Sequence, residues 1–195
     1  MEAEIMQNAD NIEVRHKSTK MLLWVGCISI SMMFAGLTSG YIVRRGTGSW
    51  LTFQMPFPFY ISTAIILLSS ITINMALQSA KKGISAALSR YILITSLLGV
   101  AFGICQFMGY KELVKDGIYA MGSSSNASGS YLYILTFLHL AHILGGMVAL
   151  GIAFVKSLRH KYSAQNYHGI KLCTTYWHFV DGLWVYLFIF MLMFR

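Results

Sequence analysis

Residues 131–155 read YLYILTFLHLAHILGGMVALGIAFV, a run without one Asp, Glu, Lys or Arg. A helix rises about 1.5 Å per residue, so this run is long enough to cross the ~30 Å hydrocarbon core of a bilayer. Four further long apolar runs lie at about 21–43, 58–80, 90–110 and 174–194, with Arg90 at the edge of one and Asp181 inside another. In lipid every backbone N–H and C=O must be satisfied within the segment or a closed barrel. The reading is therefore an all-α integral membrane protein: five transmembrane helices in one bundle (21–195) behind a polar N-terminal arm (1–20).

Composition agrees with this. Of 195 residues, 56% are apolar and 11% charged, where a soluble domain carries roughly a quarter charged. The net charge of +8 does not indicate nucleic acid, because the basic residues stand in short clusters between apolar runs. Cys27, Cys105 and Cys173 are widely separated and odd in number, so they are read as small apolar packers rather than a disulfide framework. The first apolar run exceeds the ~7–15 residues of a signal-peptide core, so it is expected to stay in the membrane. The arm before it carries Glu2, Glu4, Asp10 and Glu13 and is expected to be partly without fixed structure.

Orientation follows from Lys and Arg. Arg15, Lys17, Lys20, Lys81, Lys82, Arg90, Lys156, Arg159, Lys161 and Lys171 fall on one side. Arg44, Arg45, Lys111, Lys115 and Arg195 fall on the other. The richer side is cytoplasmic by the positive-inside rule, which places the N-terminus inside and the C-terminus outside. Pro56 and Pro58 mark the mouth of the second helix, where a missing donor is harmless. Residues 122–130, GSSSNASGS, read as a loose polar loop facing outward. Asn126-Ala127-Ser128 fits a glycosylation acceptor, a tripeptide common by chance.

Ionisable groups inside the membrane are costly and call for a reason. His139 and His142 share one face of the fourth helix. His178 and Asp181 share one face of the fifth, flanked by Trp177 and Trp184. His142 should lie about 16 Å from one surface and Asp181 about 10 Å from the other, nearly level in a ~30 Å core. An Asp181–histidine pair between the two helices is the expectation. Two such clusters could instead bind a metal or serve a haem, as in a stand-alone haem-binding or proton-coupled membrane protein. Helix packing and headgroup contact form the plainer reading. Gly99 and Gly103, with Gly145, Gly146 and Gly151, allow close helix approach, either within the chain or to another subunit.

The string YWHFVDGLWVYLFIF (176–190) closely resembles the last helix of subunit III of haem-copper terminal oxidases. Residues 131–150, with their paired histidines and glycines, resemble that family's preceding helix. PFYISTAIILLSSITINMAL (58–77) and SISMMFAGLTSGYIVRR (29–45) are similar to earlier helices of its short, five-helix bacterial form. The resemblance implies an accessory subunit of a bacterial cytochrome c oxidase in aerobic respiration, cytochrome c being the commoner donor, with the equivalent subunit of a quinol oxidase as the alternative. It implies a chain that is not itself catalytic and carries no cofactor, with haems and copper in partner subunits. It further implies docking on subunit I beside other oxidase subunits, bound phospholipid, support of proton uptake, and a multi-pass place in the bacterial inner membrane. Membership of a larger respiratory supercomplex is left open. On this resemblance Trp177, His178, Asp181, His139, His142 and Arg45 are structural or lipid-contact residues, with no catalytic, metal or cofactor ligand among them. Two positions depart from the pattern: Ile30 and Gly109 stand where many members carry glutamate.

Overall fold

The computed structural model describes the chain except residues 1, 47, 49, 123–125, 160, 161, 164, 165 and 195, with side chains left aside at 2–6, 8, 9 and 12. Five helices follow in order: α1 (Glu2–Arg45), α2 (Phe57–Lys81), α3 (Ser85–Lys115), α4 (Ala127–Leu158) and α5 (His168–Phe194). Each contains a stretch long and apolar enough to cross a membrane. All five are longer than the apolar runs alone indicate, because helical backbone continues into the charged flanks such as Lys111–Lys115. The arm is likewise helical from Glu2 and continuous with the first span rather than partly unstructured.

The helix ends have local causes. Pro56 and Pro58 open α2. The α2–α3 turn closes on Gly83 at φ 72°, with Ile84 N–H donating to Ser79 at 3.0 Å. The same device ends α3, where Gly117 has φ 77° and Ile118 donates to Leu113 at 2.9 Å. Both are C-caps that require a left-handed residue, at no steric cost for glycine. Asn126 starts α4 by accepting the Ser128 N–H at 3.1 Å. Residues 127–130, expected in a loose loop, thus belong to the first turn of α4, and Ser128 and Gly129 are buried. Ser123–Ser125 of that loop lie outside the described residues.

α2 and α3 form a tight antiparallel hairpin, and α5 packs on α1, α2 and α4. Among the described residues α1 touches only α4 and α5. Half of the α5 span is buried inside the chain against 17% for α1, so α5 is the axis and α1 an outer strut. Gln106 of α3 is fully buried. Its amide donates to the Ser62 hydroxyl at 2.9 Å, while its carbonyl oxygen meets no donor. Because one bond is made and one acceptor is wasted, Gln106→Leu is expected to shift stability by no more than about 1 kcal/mol either way. A larger loss in detergent melting would mean the carbonyl has a partner.

Between α4 and α5, burial pushes the Tyr162 hydroxyl up to about 12, with the Cys173 thiol adding to the rise. Since the folded value lies above the ordinary ~10, this stabilisation is complete below about pH 10 and is lost as pH climbs to 12. The expected result is a tyrosinate absorbance step near pH 12 that moves toward 10 on unfolding.

Candidate functional site

The face shared by α2 and α5 is a row of hydroxyls meeting aromatic and ionisable side chains. α2 runs antiparallel to α5, and its Thr63, Ser69 and Ser70 face Trp184, Trp177 and His178 in that order. Trp184 donates its indole N–H to Thr63 at 3.0 Å, and Trp177 donates to Ser69 at 2.9 Å. Ser70 lies 2.6 Å from His178 Nδ1. A second pair of hydroxyls, Thr72 and Thr95 at 2.8 Å, ties α2 to α3. Each bond removes a polar atom from contact with hydrocarbon, and such interhelical bonds average about 0.6 kcal/mol.

Trp177 is fully buried between the backbones of two glycines. A Cβ at Gly99 would stand 3.0 Å from its ring, and one at Gly146 3.2 Å from it. The small residues singled out in the sequence therefore serve packing within the chain: α3 and α4 close on the tryptophan of α5. Gly103 keeps a looser distance, and Gly151 faces open space. Trp184 is stacked with Phe59 at 6.3 Å and meets Phe102 edge-on at 5.0 Å.

His139 is fully buried against Phe102 and Trp184, with ring centroids 5.9 and 5.1 Å away. Neither of its nitrogens has a hydrogen-bond partner among the described residues. His142 lies 2.6 Å from the Leu138 carbonyl of its own helix through Nδ1, and its ring meets Phe34 of α1 edge-on. Asp181 is buried, and its oxygens meet no donor in good geometry. Ser70 is the polar group beside it.

The expected Asp181–histidine pair across α4 and α5 is thus not formed. The groups point into different sectors: His139 faces the aromatic cluster of α3 and α5, and Asp181 faces Ser70 of α2. His178 and Asp181 also part company, the first exposed and the second buried. Arg45 closes α1 with its guanidinium 5.9 Å above the Phe194 ring, and Tyr41 donates to the Phe194 carbonyl at 3.2 Å. Together these fasten α1 to the end of α5.

Among the described residues no three His, Cys, Asp or Glu side chains converge as a metal site would need. The polar groups are distributed along helix seams, an arrangement suited to holding helices together. Gln106 and the hydroxyl row of α2 were not singled out from sequence. The available signal was the seven-residue spacing of Ser62 and Ser69 on α2 and of Trp177 and Trp184 on α5. An apolar groove of about 320 Å³ runs between α3 and α4 over Gly99, Gly103 and Leu140. It meets a larger hollow of about 770 Å³ at Phe107 and Phe137, beside Tyr110 and Tyr133.

A family model described as cytochrome c oxidase subunit III matches residues 47–195. The chain is 33% identical over 179 residues to a probable cytochrome c oxidase subunit 3 of Nocardia farcinica, covering 88% of this chain and 84% of that protein. It is 32% identical over 166 residues to the cytochrome c oxidase subunit 3 of Corynebacterium diphtheriae, covering 81% and 79%. It is 31% identical over 132 residues to the subunit 3 of Loxodonta africana, covering 66% of this chain and 47% of that one.

Proposed function

The chain belongs to the cytochrome c oxidase subunit III family, a multi-pass membrane component of a respiratory oxidase complex, and we propose that it docks on the catalytic subunit I of a bacterial cytochrome c oxidase and stabilises it. The observation that carries this reading is the likeness to bacterial proteins named as that subunit over 88% of the chain. Those names also favour cytochrome c over quinol as the electron donor. The haems and copper belong to partner subunits, and this chain contributes a scaffold.

In this reading the membrane is the bacterial inner membrane, and the basic flanks put the N-terminus in the cytoplasm. The α3–α4 groove takes a phospholipid acyl chain, since its lining is apolar and continuous with the wider hollow at Phe107 and Phe137. Support of proton uptake is indirect, through the shape and lipid of the complex. Ile30 and Gly109 leave those two positions without a carboxylate.

The test is purification of the tagged chain in mild detergent from its own membranes. A co-purifying subunit with haem bands in the reduced-minus-oxidised spectrum, bound copper and oxygen uptake from reduced cytochrome c supports the reading. Oxygen uptake from quinol alone would replace the donor. A chain recovered without oxidase subunits, and itself carrying haem at His139 or His178, would overturn the reading in favour of a stand-alone haem protein.

A further inference from the structure

α5 leaves one stripe uncovered. His178, Gly182 and Tyr186, four residues apart, are exposed along it. The stripe is the floor of a groove. α1 stands on one side, held by the Thr38–Tyr186 hydrogen bond of 3.1 Å, and α2 on the other, held by Ser70–His178. Among the described residues α1 and α2 do not touch, so these two helices leave the groove open between them.

The floor is polar at a depth where lipid is not. At 1.5 Å per residue Ser70 lies about 20 Å from the start of α2 and about 16 Å from its end, close to the bilayer midplane. His178 is level with it and uses only Nδ1, leaving Nε2 without a partner among the described residues. One turn along α2, Asn74 is exposed and makes no hydrogen bond to the described residues. Behind Ser70 the Asp181 carboxyl, 3% exposed, lacks a donor at both oxygens. A free imidazole nitrogen and a side-chain amide cannot face acyl chains without a penalty. A lipid headgroup cannot reach them, because it stays at the bilayer surface. Gly182 beside His178 has nothing within 4 Å of where its Cβ would be, and a bare glycine admits a helix at short distance.

We propose that the groove between α1 and α2 is a docking site for a transmembrane helix of another oxidase subunit, which brings a hydrogen-bonding side chain level with His178 and Asn74. This rests on the reading of the chain as an oxidase subunit, and adds which face docks and by what chemistry. The partner completes the polar set that this chain leaves open: a hydrogen-bonding group for His178 Nε2, acceptor or donor as the tautomer requires, and partners for the Asn74 amide.

The experiment places a photoreactive benzoylphenylalanine at Gly182, at Leu67 of the α2 wall, or at Val148 on the exposed face of α4, in cells making the whole complex. Leu67 is exposed in the chain, so it serves if the bulky label at Gly182 disturbs insertion. Cross-links from 182 or 67 to another oxidase subunit, stronger than from 148, are the expected result. His178→Leu should reduce co-purified oxidase about tenfold, the effect of losing a desolvated interhelical contact, while His178→Gln retains most of it. If 182 and 67 cross-link only to lipid while the tagged chain still brings down the oxidase, the docking face is elsewhere and the subunit reading stands. If no oxidase subunit co-purifies at all, both fail.

Discussion

Trp177→Ala should destabilise the five-helix bundle by about 3–5 kcal/mol, the range for removing a buried aromatic without collapse of its site. The indole of α5 is fully buried and is reached by α2, α3 and α4 together. Its N–H is the partner of Ser69, and its ring fills the space that Gly99 and Gly146 leave open. Alanine would remove all of these contacts at once. Helix backbones already this close cannot move in to fill the void, so packing attraction is lost on three sides. Trp177→Phe separates the terms, since it keeps most of the ring and forfeits the bond to Ser69, for a loss of about 1 kcal/mol. Detergent-titrated unfolding of the purified chain would read both. An alanine variant as stable as Trp177→Phe would show that the glycine-walled slot collapses after all.

Gly109→Glu, which introduces a carboxylate at one of the two positions singled out from the sequence, is expected to prevent stable packing of α2 on α3. A Cβ at position 109 would stand 2.5 Å from Cε2 of Phe59 and 2.9 Å from its Cδ2. Phe59 cannot withdraw. It is fully buried, stacked with Trp184 and edge-on to Tyr110. Even Gly109→Ala should cost about 1–3 kcal/mol in overpacking, and a carboxyl forced into the same space adds several more. The alanine variant should melt lower, and the glutamate variant should fail to accumulate in membranes. Normal accumulation of Gly109→Glu with an unchanged melting temperature would mean that the Phe59 ring is free to turn away. In this chain an aromatic ring occupies the volume that an acidic side chain at position 109 would need.

Much of this was legible without coordinates. The run 131–155 reads as a membrane helix, because a single segment in lipid satisfies all its own backbone groups only as a helix and this run far exceeds the length of a barrel strand. The cap of α2 could be read from Pro56 and Pro58. The loose loop at 122–130 was misread in part, because its polar composition hid a capping asparagine at 126 that turns Ala127–Ser130 into helix. The Asp181–histidine pair was misread for a different reason. Depth along a helix follows from counting residues, but the direction a side chain faces between neighbours depends on how each helix is rotated.

The sequence by itself determined that five segments are long and apolar enough to span a membrane, and which ionisable groups lie within them, since length and polarity obey one-dimensional rules. Only the tertiary structure decided that Asp181 turns to Ser70, that His139 ends among Phe102 and Trp184, and that the glycines of α3 and α4 close on Trp177. Those outcomes depend on helix rotation and register, which are set by how side chains of distant segments fill one shared volume.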